Sequence, residues 1–298
     1  MDKIWITGAT GLLGRALMAE FAEAYEGEFV GTGYSRADDN IRKLDLRDSE
    51  AVEAFFETER PQYVVHSAAE RRPDVSEKDP DGTWSLNVDS TRHLAELCNK
   101  HGAWLLYLST DYVFDGTSPP YQPGDTPNPL NLYGKSKLAG EEALREVFND
   151  YGILRVPILY GEVVALDESA VTVVALDLRK EPIPPQDDWA TRYPTHVADV
   201  ARVSRQMVEH RFIEEGFRGI FHWSGNEPFT KYEMACAMAP ALGIDPESIP
   251  ANAEPADGTP RPQDCCLEIS ELESLAIGGQ RDFTESVPSI LKEFNNSV

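Results

Sequence analysis

A glycine-rich turn near the N-terminus is the feature of this 298-residue chain that most restricts its fold. Glycines stand at positions 8, 11 and 14, after an apolar run and before a segment whose apolar residues recur at helical spacing. This order predicts a strand, a tight turn and a helix. Glycines let the backbone approach a ligand closely, and the helix N-terminus favours anionic groups. The pattern is typical of a dinucleotide-binding unit in an α/β, Rossmann-type doubly wound parallel sheet.

The chain is long enough to form a second, smaller domain beside this sheet. We expect residues 1–160 to form the dinucleotide-binding Rossmann domain, with roughly residues 195–224 returning to it. Residues 161–194 and 225–298 are then expected to form a smaller C-terminal substrate-binding domain.

Three local predictions concern helices. Residues 83–101 are predicted to form one helix. Residues 168–180 are also predicted to be helical, although their β-branched run would suit a strand equally well on propensity. Thr195 is predicted to cap the helix that follows it.

The composition excludes some partners. Asp and Glu total 51 against 27 Lys and Arg, a formal charge of −24. Such a surface repels phosphate backbones and anionic lipids, so we expect neither nucleic acid nor membrane as a partner. No apolar run approaches the length that spans a bilayer, and the expectation is a soluble, cytoplasmic protein. No metal is predicted, and the cysteines are expected to be reduced thiols because they lack ligand spacing: Cys98, Cys236, Cys265 and Cys266.

The end of the second predicted strand bears on the type of dinucleotide. Residues 28–34 are followed by Ser35 and Arg36, at the place that faces the adenosine ribose in a Rossmann unit. A Ser-Arg pair suits a 2′-phosphate, whereas an acidic residue would suit the free hydroxyl of NAD. NADP is therefore favoured, with a surface arginine in a turn as the alternative. Asp45, after the third strand, could bond the adenine amino group.

The fourth predicted strand ends in small residues. Residues 63–69 form an apolar run that closes on Ser67, Ala68 and Ala69, whose short side chains would let a cofactor lie against the strand end. His66, within this run, is interpreted as a hydrogen-bonded core histidine and not as a catalyst.

A candidate catalytic set follows the fifth predicted strand, residues 104–108. Thr110 stands at its carboxyl end, where ligands bind in open α/β sheets. Tyr133 and Lys137 are four residues apart and therefore share a helix face. A neighbouring ammonium group would stabilise the phenolate and lower the pKa of Tyr133 toward that of a working general acid.

These motifs resemble a known family. The glycines at 8, 11 and 14, residues 109–116 and the Tyr133–Lys137 pair look like the extended short-chain dehydrogenase/reductases, in their dTDP-4-dehydrorhamnose reductase branch. Within that branch, four blocks resemble most closely the regulatory beta subunits of methionine adenosyltransferase, namely residues 68–75, 130–135, 157–163 and 221–227.

The resemblance to the reductases implies a reaction. NADPH would give hydride to the C4 carbonyl of a nucleotide-activated deoxysugar. Tyr133 would donate the proton, Lys137 would bind the nicotinamide ribose, and Thr110 would bond the carbonyl oxygen. Asn87 matches the family position that supports this site.

The resemblance to the beta subunits implies a different function. The chain would then hold NADP and dock on a methionine adenosyltransferase catalytic subunit without turning over a sugar. Residues 282–287 depart from the tail of those subunits, which weakens this alternative. A reductase acting on another carbonyl is a third possibility, and a homodimer is compatible with each.

Residue assignments combine the patterns with the resemblance. The expected cofactor-binding residues are Gly8, Thr10, Gly11, Leu12, Leu13, Gly14, Ser35, Arg36, Asp45, Leu46, Ser67, Ala68, Ala69, Arg71, Tyr133, Lys137 and Leu159. The expected substrate contacts are Asp111, Tyr112, Phe114, Trp189, Arg192, His196 and Arg261. A sugar diphosphate needs cationic partners, which Arg192 and Arg261 would supply.

Overall fold

The computed structural model describes residues 2–37 and 40–294. The strands in this part of the chain are β1 (Lys3–Thr7), β2 (Glu28–Gly33), β3 (Ile41–Lys43), β4 (Tyr63–His66), β5 (Trp104–Thr110), β6 (Tyr151–Val156), β7 (Leu159–Tyr160), β8 (Gln186–Asp187), β9 (Thr195–His196), β10 (Gly219–His222) and β11 (Ala251–Asn252). Seven of them form one sheet in the order β10-β6-β5-β4-β1-β2-β3. Every neighbouring pair in this sheet is parallel, as the predicted Rossmann-type fold requires.

Helices cover both faces of the sheet and build the rest of the chain. They are α1 (Leu12–Ala24), α2 (Ser49–Glu59), α3 (Pro73–Lys78), α4 (Pro80–Trp84), α5 (Ser90–His101), α6 (Leu132–Val147), α7 (Val174–Asp177), α8 (Val197–Ile213), α9 (Lys231–Met238), α10 (Ser270–Ser274) and α11 (Phe283–Lys292). None of the described helices combines the length and the apolar character needed to cross a membrane.

Side-chain alternation along β1 divides the core into two layers. Ile4 and Ile6 pack on one face with α1 and α8, whereas Trp5 packs on the other with α2, α5 and α6. A third apolar cluster lies apart from the sheet and joins α7, α9 and α11, with Val171, Met234 and Phe283 among its members.

The register of β1 aligns the carboxyl ends of its neighbours. Thr7 at the end of β1 pairs with Thr32 on one side and with His66 on the other. His66 is fully buried, and its ring bonds the hydroxyls of Thr7 at 2.7 Å and Thr91 at 3.1 Å. Burial lowers the pKa of His66 to about 3, so the ring is neutral. The interpretation as a hydrogen-bonded core histidine is confirmed.

The helix predicted over residues 168–180 is wrong for most of its length, because α7 covers Val174–Asp177 alone. Side chains bond the backbone ahead of α7 and so compete with helical hydrogen bonds. Ser169 Oγ donates to the Leu159 carbonyl at 2.7 Å, and Thr172 Oγ1 donates to the Leu166 carbonyl at 2.7 Å.

The helix predicted over residues 83–101 is confirmed as a continuous helical run, in which a π-helical turn at Ser85–Asp89 joins α4 to α5. One further helix prediction needs correction. Thr195 does not cap α8, because it belongs to β9, which pairs with β7. His196 is the cap, and its Nδ1 accepts from the Ala198 N–H at 3.1 Å.

The contact between α1 and the glycine turn generates a first prediction. A Cβ at Gly14 would lie 2.7 Å from Ala9 Cα and from the Gly8 carbonyl carbon, both of them backbone atoms that cannot rotate away. We expect Gly14→Ala to lower the free energy of unfolding by about 3 kcal/mol in chemical denaturation. The matched control is Gly124→Ala, where a Cβ would meet nothing within 4 Å. Equal stability of the two variants would contradict this account of the turn.

Candidate functional site

A cavity of about 620 Å³ opens at the carboxyl edge of the sheet, in front of β1 and β4. It is lined by the glycine turn, the ends of β2, β4 and β5, the start of α6, and side chains from beyond residue 190. All seventeen residues predicted to bind the cofactor line this cavity. Their contact with a cofactor stays a prediction, but the structure brings them together.

The glycine turn offers a place for an anion. Gly8 has a φ of 67°, and a Cβ there would lie 2.7 Å from the Ala68 backbone nitrogen, so the turn lies directly against the end of β4. Gly11 is the N-cap of α1 and has no side chain with which to bond the N–H groups of the first turn. That turn also carries no acidic residue. Open N–H groups at a positive helix end fit the pyrophosphate of a dinucleotide.

The β2 and β3 ends of the cavity are rich in arginine. Asp45 accepts from Arg47 Nε at 2.8 Å and Nη2 at 2.7 Å, and these hydrogen bonds lower the pKa of Asp45. Arg36 Nη1 donates to Glu168 Oε1 at 2.9 Å. Sequence reasoning missed Glu168, which lies 132 positions from Arg36 and belongs to no recognisable motif.

The ammonium group of Lys137 lies against β5. Its Nζ donates to the Leu108 carbonyl at 2.7 Å and lies 3.9 Å from the centre of the Tyr107 ring. Burial lowers the pKa of Lys137 to about 7, against the opposing effect of the Glu141 charge.

The predicted lowering of the Tyr133 pKa is wrong in this structure. Burial raises the pKa of Tyr133 above its usual range, and the Thr110 hydrogen bond and the Arg71 charge offset this only in part. The ammonium of Lys137 is directed at a backbone carbonyl instead of the phenol. Tyr133 is therefore a fully protonated hydroxyl at neutral pH.

Thr110 joins β5 to a short 3₁₀ helix, Asp111–Val113. Its hydroxyl donates to Asp111 Oδ1 at 3.1 Å and accepts from the Tyr112 N–H at 3.2 Å. Burial raises the pKa of Asp111 to about 7, although the Arg192 charge opposes the shift. Thr110, Asp111 and Tyr112 all line the cavity, and their contact with a substrate stays a prediction.

A buried ion pair lies behind the catalytic candidates. Arg155 Nε and Nη2 donate to the two carboxylate oxygens of Glu141 at 2.9 and 2.6 Å, and both side chains are at most 2% exposed. Ser109 Oγ donates to Glu141 Oε1 at 2.5 Å. The pair thus ties α6 to the ends of β5 and β6. Sequence reasoning missed it, although Glu141 follows Lys137 by one helical turn.

Asn87 lies outside the cavity and braces its wall. Its side chain accepts from the Glu70 N–H, donates to the Glu70 carbonyl and donates to Ser136 Oγ, each at 2.9 Å. It therefore holds the segment after β4 against α6, which fits the supporting position that the resemblance implied.

Three cationic side chains of the cavity lining lie close to one another, namely Arg192, Lys231 and Arg261. Arg192 is buried and bonds the carbonyls of Thr191 at 3.0 Å and Pro262 at 3.2 Å. Lys231 was not predicted; it follows Thr230, the N-cap of α9, which forms a capping box with Glu233. Cations at this density suit an anionic ligand.

Three predicted substrate residues do not reach the cavity, namely Phe114, Trp189 and His196. Phe114 is fully buried and stacks on Tyr121 with ring centres 4.1 Å apart. His196 is occupied as the cap of α8. Trp189 lies after β8, where its backbone N–H donates to Asp187 Oδ1 at 2.9 Å.

Comparison with known proteins decides the family. A family model described as the RmlD substrate binding domain matches residues 2–296. The chain belongs to the RmlD family. Methionine adenosyltransferase 2 subunit beta of Bos taurus is 46% identical to it over 294 residues, 98% of this chain and 88% of that protein. A dTDP-4-keto-6-deoxy-D-glucose reductase of Streptomyces niveus is 32% identical over 255 residues, 82% of this chain and 80% of that protein.

Solved structures give the same result. The dTDP-4-dehydrorhamnose reductase of Bacillus anthracis, in complex with NADP, is 26% identical with a TM-score of 0.76 and covers 98% of each chain. Its counterpart from Clostridium acetobutylicum is 25% identical with a TM-score of 0.80 and covers 98% of this chain and 99% of that one. The predicted family branch and the Rossmann-type fold are confirmed.

The ion pair behind the site gives the second prediction for this RmlD-family chain. Arg155→Leu leaves the Glu141 carboxylate buried without its partner, so we expect a loss of about 3–5 kcal/mol in the free energy of unfolding. The control is Arg92→Leu, because Arg92 pairs with Glu146 on the surface. That change is expected to stay within about 1 kcal/mol in the same denaturant titration. A loss no greater for Arg155→Leu than for Arg92→Leu would contradict the role of the buried pair.

Proposed function

We propose that the protein reduces the 4-keto group of a nucleotide-activated deoxysugar with NADPH. The observation that carries this proposal is one cavity that joins two groups of residues. Thr110, Tyr133 and Lys137 line it together with the glycine turn, and the same cavity is lined by Arg192 and its cationic neighbours. The names of the dTDP-sugar reductases among its relatives support the same reaction.

The cavity residues fit a nicotinamide dinucleotide. The first turn of α1 would hold the pyrophosphate, and the short side chains of Ser67, Ala68 and Ala69 leave room along the end of β4. Arg36 and Ser35 border the cavity after β2, where they would bind a 2′-phosphate. NADP is therefore the proposed cofactor, and the NADP complex of the Bacillus anthracis relative is consistent with it.

The chain's own residues would handle the proton and the developing charge. Bound NADPH supplies the hydride. Tyr133, kept protonated by its buried position, would give its proton to the carbonyl oxygen. The Thr110 hydroxyl would bond the same oxygen, and Lys137 would hold the ribose close to the tyrosine.

The group of three cations would recognise the nucleotide diphosphate. The chain carries a formal charge of −24, so three cations gathered in one part of a cavity mark a place for an anion. The side chains of Arg192, Lys231 and Arg261 can donate to phosphate oxygens, and each guanidinium group can donate two N–H groups at once. Asp111 and Tyr112 line the cavity near Arg192 and Tyr133 and would contact the sugar.

An activity assay tests the reaction. Purified protein with NADPH and dTDP-4-dehydro-6-deoxy-L-mannose is expected to oxidise the cofactor, followed by its absorbance. Tyr133→Phe should lower kcat by about 100-fold or more, because the proton donor is lost. Tyr151→Phe, at the amino end of β6, is the control and should keep the activity. Absence of turnover by the wild type, or equal turnover by both variants, would exclude this mechanism.

Sequence identity favours a second candidate function. The chain is 46% identical, across 98% of its length, to the beta subunits of methionine adenosyltransferase 2. We propose as the alternative that it binds NADP and docks on a methionine adenosyltransferase catalytic subunit. Both the sequence identity and the share of this chain that is covered are higher than for the Streptomyces niveus reductase.

Co-elution tests this alternative. The protein is mixed with the methionine adenosyltransferase catalytic subunit from the same organism. The two are expected to elute together in size-exclusion chromatography, and the kinetics of the catalytic subunit are expected to change. Tyr133→Phe should leave the complex intact, since docking needs no proton donor. Separate elution with unchanged kinetics would argue against a regulatory subunit.

A further inference from the structure

Three arginines from different elements converge on Glu168, which lies in the segment after β7. Arg15 on α1 donates to both carboxylate oxygens of Glu168, at 2.9 and 2.7 Å. Arg36, after β2, donates to Oε1 at 2.9 Å. Arg71, after β4, bonds the backbone carbonyl of the same glutamate. One residue thus connects three elements around the proposed cofactor cleft.

The carboxylate of Glu168 is held firmly in place. Its Oε2 also accepts from the Val164 N–H at 3.0 Å, so both oxygens have two donors. The side chain is 7% exposed. Burial acts to raise its pKa, but the bonds from Arg15, Val164 and Arg36 lower the pKa to about 2. Glu168 is therefore charged at neutral pH.

Arg36 is bound to the Glu168 carboxylate less firmly than Arg15 is. Its side chain is 49% exposed and gives Glu168 a single hydrogen bond. Arg15 is fixed more strongly, because it donates to both carboxylate oxygens and to the Thr10 carbonyl at 3.1 Å. A phosphate at the end of β2 would draw Arg36 away while Arg15 continued to neutralise the glutamate.

We propose that Glu168 is a specificity-determining residue that weakens the preference for NADP over NAD by competing for Arg36. The inference rests on the proposed function, in which Arg36 binds the 2′-phosphate. Carboxylate and phosphate seek the same guanidinium, and a guanidinium already paired has less to gain from a new anion. NAD lacks the phosphate, so its binding does not involve this competition.

Titration calorimetry with NADPH and with NADH tests the proposal. Glu168→Gln keeps the size and a hydrogen-bond acceptor but removes the charge. We expect the Kd for NADPH to fall about tenfold, because a charge-assisted bond to Arg36 is released, and the Kd for NADH to stay within about twofold. The matched control is Glu162→Gln, which removes the same charge from the same segment. The Glu162 side chain is exposed, and Arg15 donates to its backbone carbonyl, which the substitution leaves unchanged.

A variant of Arg36 separates the two levels of the proposal. Arg36→Ala should weaken NADPH binding and abolish the gain from Glu168→Gln in the double variant. If Arg36→Ala leaves NADPH binding unchanged, the assignment of the 2′-phosphate to Arg36 is wrong. If Arg36→Ala weakens NADPH but Glu168→Gln changes nothing, or changes both cofactors equally, the inference about Glu168 alone is overturned.

A conservative variant covers a failure of Glu168→Gln to fold. Glu168→Asp keeps the charge and shortens the side chain by one methylene, which draws the carboxylate back from Arg36. It should give the same selective gain for NADPH at a smaller size, of about threefold. No gain, with Arg36→Ala still weakening NADPH, would overturn the inference in the same way.

Discussion

The cavity depends on the opposite directions that the chain takes after β1 and after β4, toward different faces of the sheet. These strands are neighbours in the sheet, but α1 packs on one face and α5 on the other. No crossover helix therefore covers the space in front of their carboxyl ends, and a crevice must open there. The cavity, the glycine turn and the small residues after β4 all lie at this point. The strand order alone accounts for the position of the proposed cofactor site.

Buried polar groups fix what the crevice can do. Lys137, Asp111 and the Glu141–Arg155 pair are all removed from water within a few residues of β5 and α6. Burial of charge is unfavourable unless partners are built in, so this arrangement gains geometric precision at the expense of stability. The carboxylate of Glu141 serves both Arg155 and Ser109, and its charge favours the protonated form of Lys137. The helix α6, which carries the proposed catalytic residues, thus also carries a carboxylate that favours the charged form of Lys137.

Local patterns were readable from the sequence, and contacts between distant segments were not. The glycine spacing and the Tyr133–Lys137 pair are properties of one turn and one helix, so they predicted the fold and the lining of the cavity. Glu168, Lys231 and Arg155 meet the site only after the chain has folded, and no local signal marks them.

Some predicted substrate residues do not line the cavity, for physical reasons of the same kind. Residue type suggested that Phe114, Trp189 and His196 reach a ligand, but type does not give the direction of a side chain. Phe114 packs in the apolar cluster with Tyr121. The His196 ring accepts a hydrogen bond from the backbone N–H of Ala198 at the start of α8. The spacing of Tyr133 and Lys137 likewise could not show that the Leu108 carbonyl accepts a hydrogen bond from the Lys137 ammonium group.

The net charge and the cavity charges act over different distances. A chain with a formal charge of −24 repels an anionic ligand at long range, whereas Arg36, Arg192 and Lys231 would attract the proposed nucleotide ligands at contact. At physiological ionic strength charges are screened beyond roughly 8 Å, so salt removes the long-range repulsion before it weakens direct contacts in a partly enclosed cavity. For most cationic sites salt is a competitor. Here moderate salt would lessen the barrier to entry, which makes the acidic surface compatible with an anionic ligand.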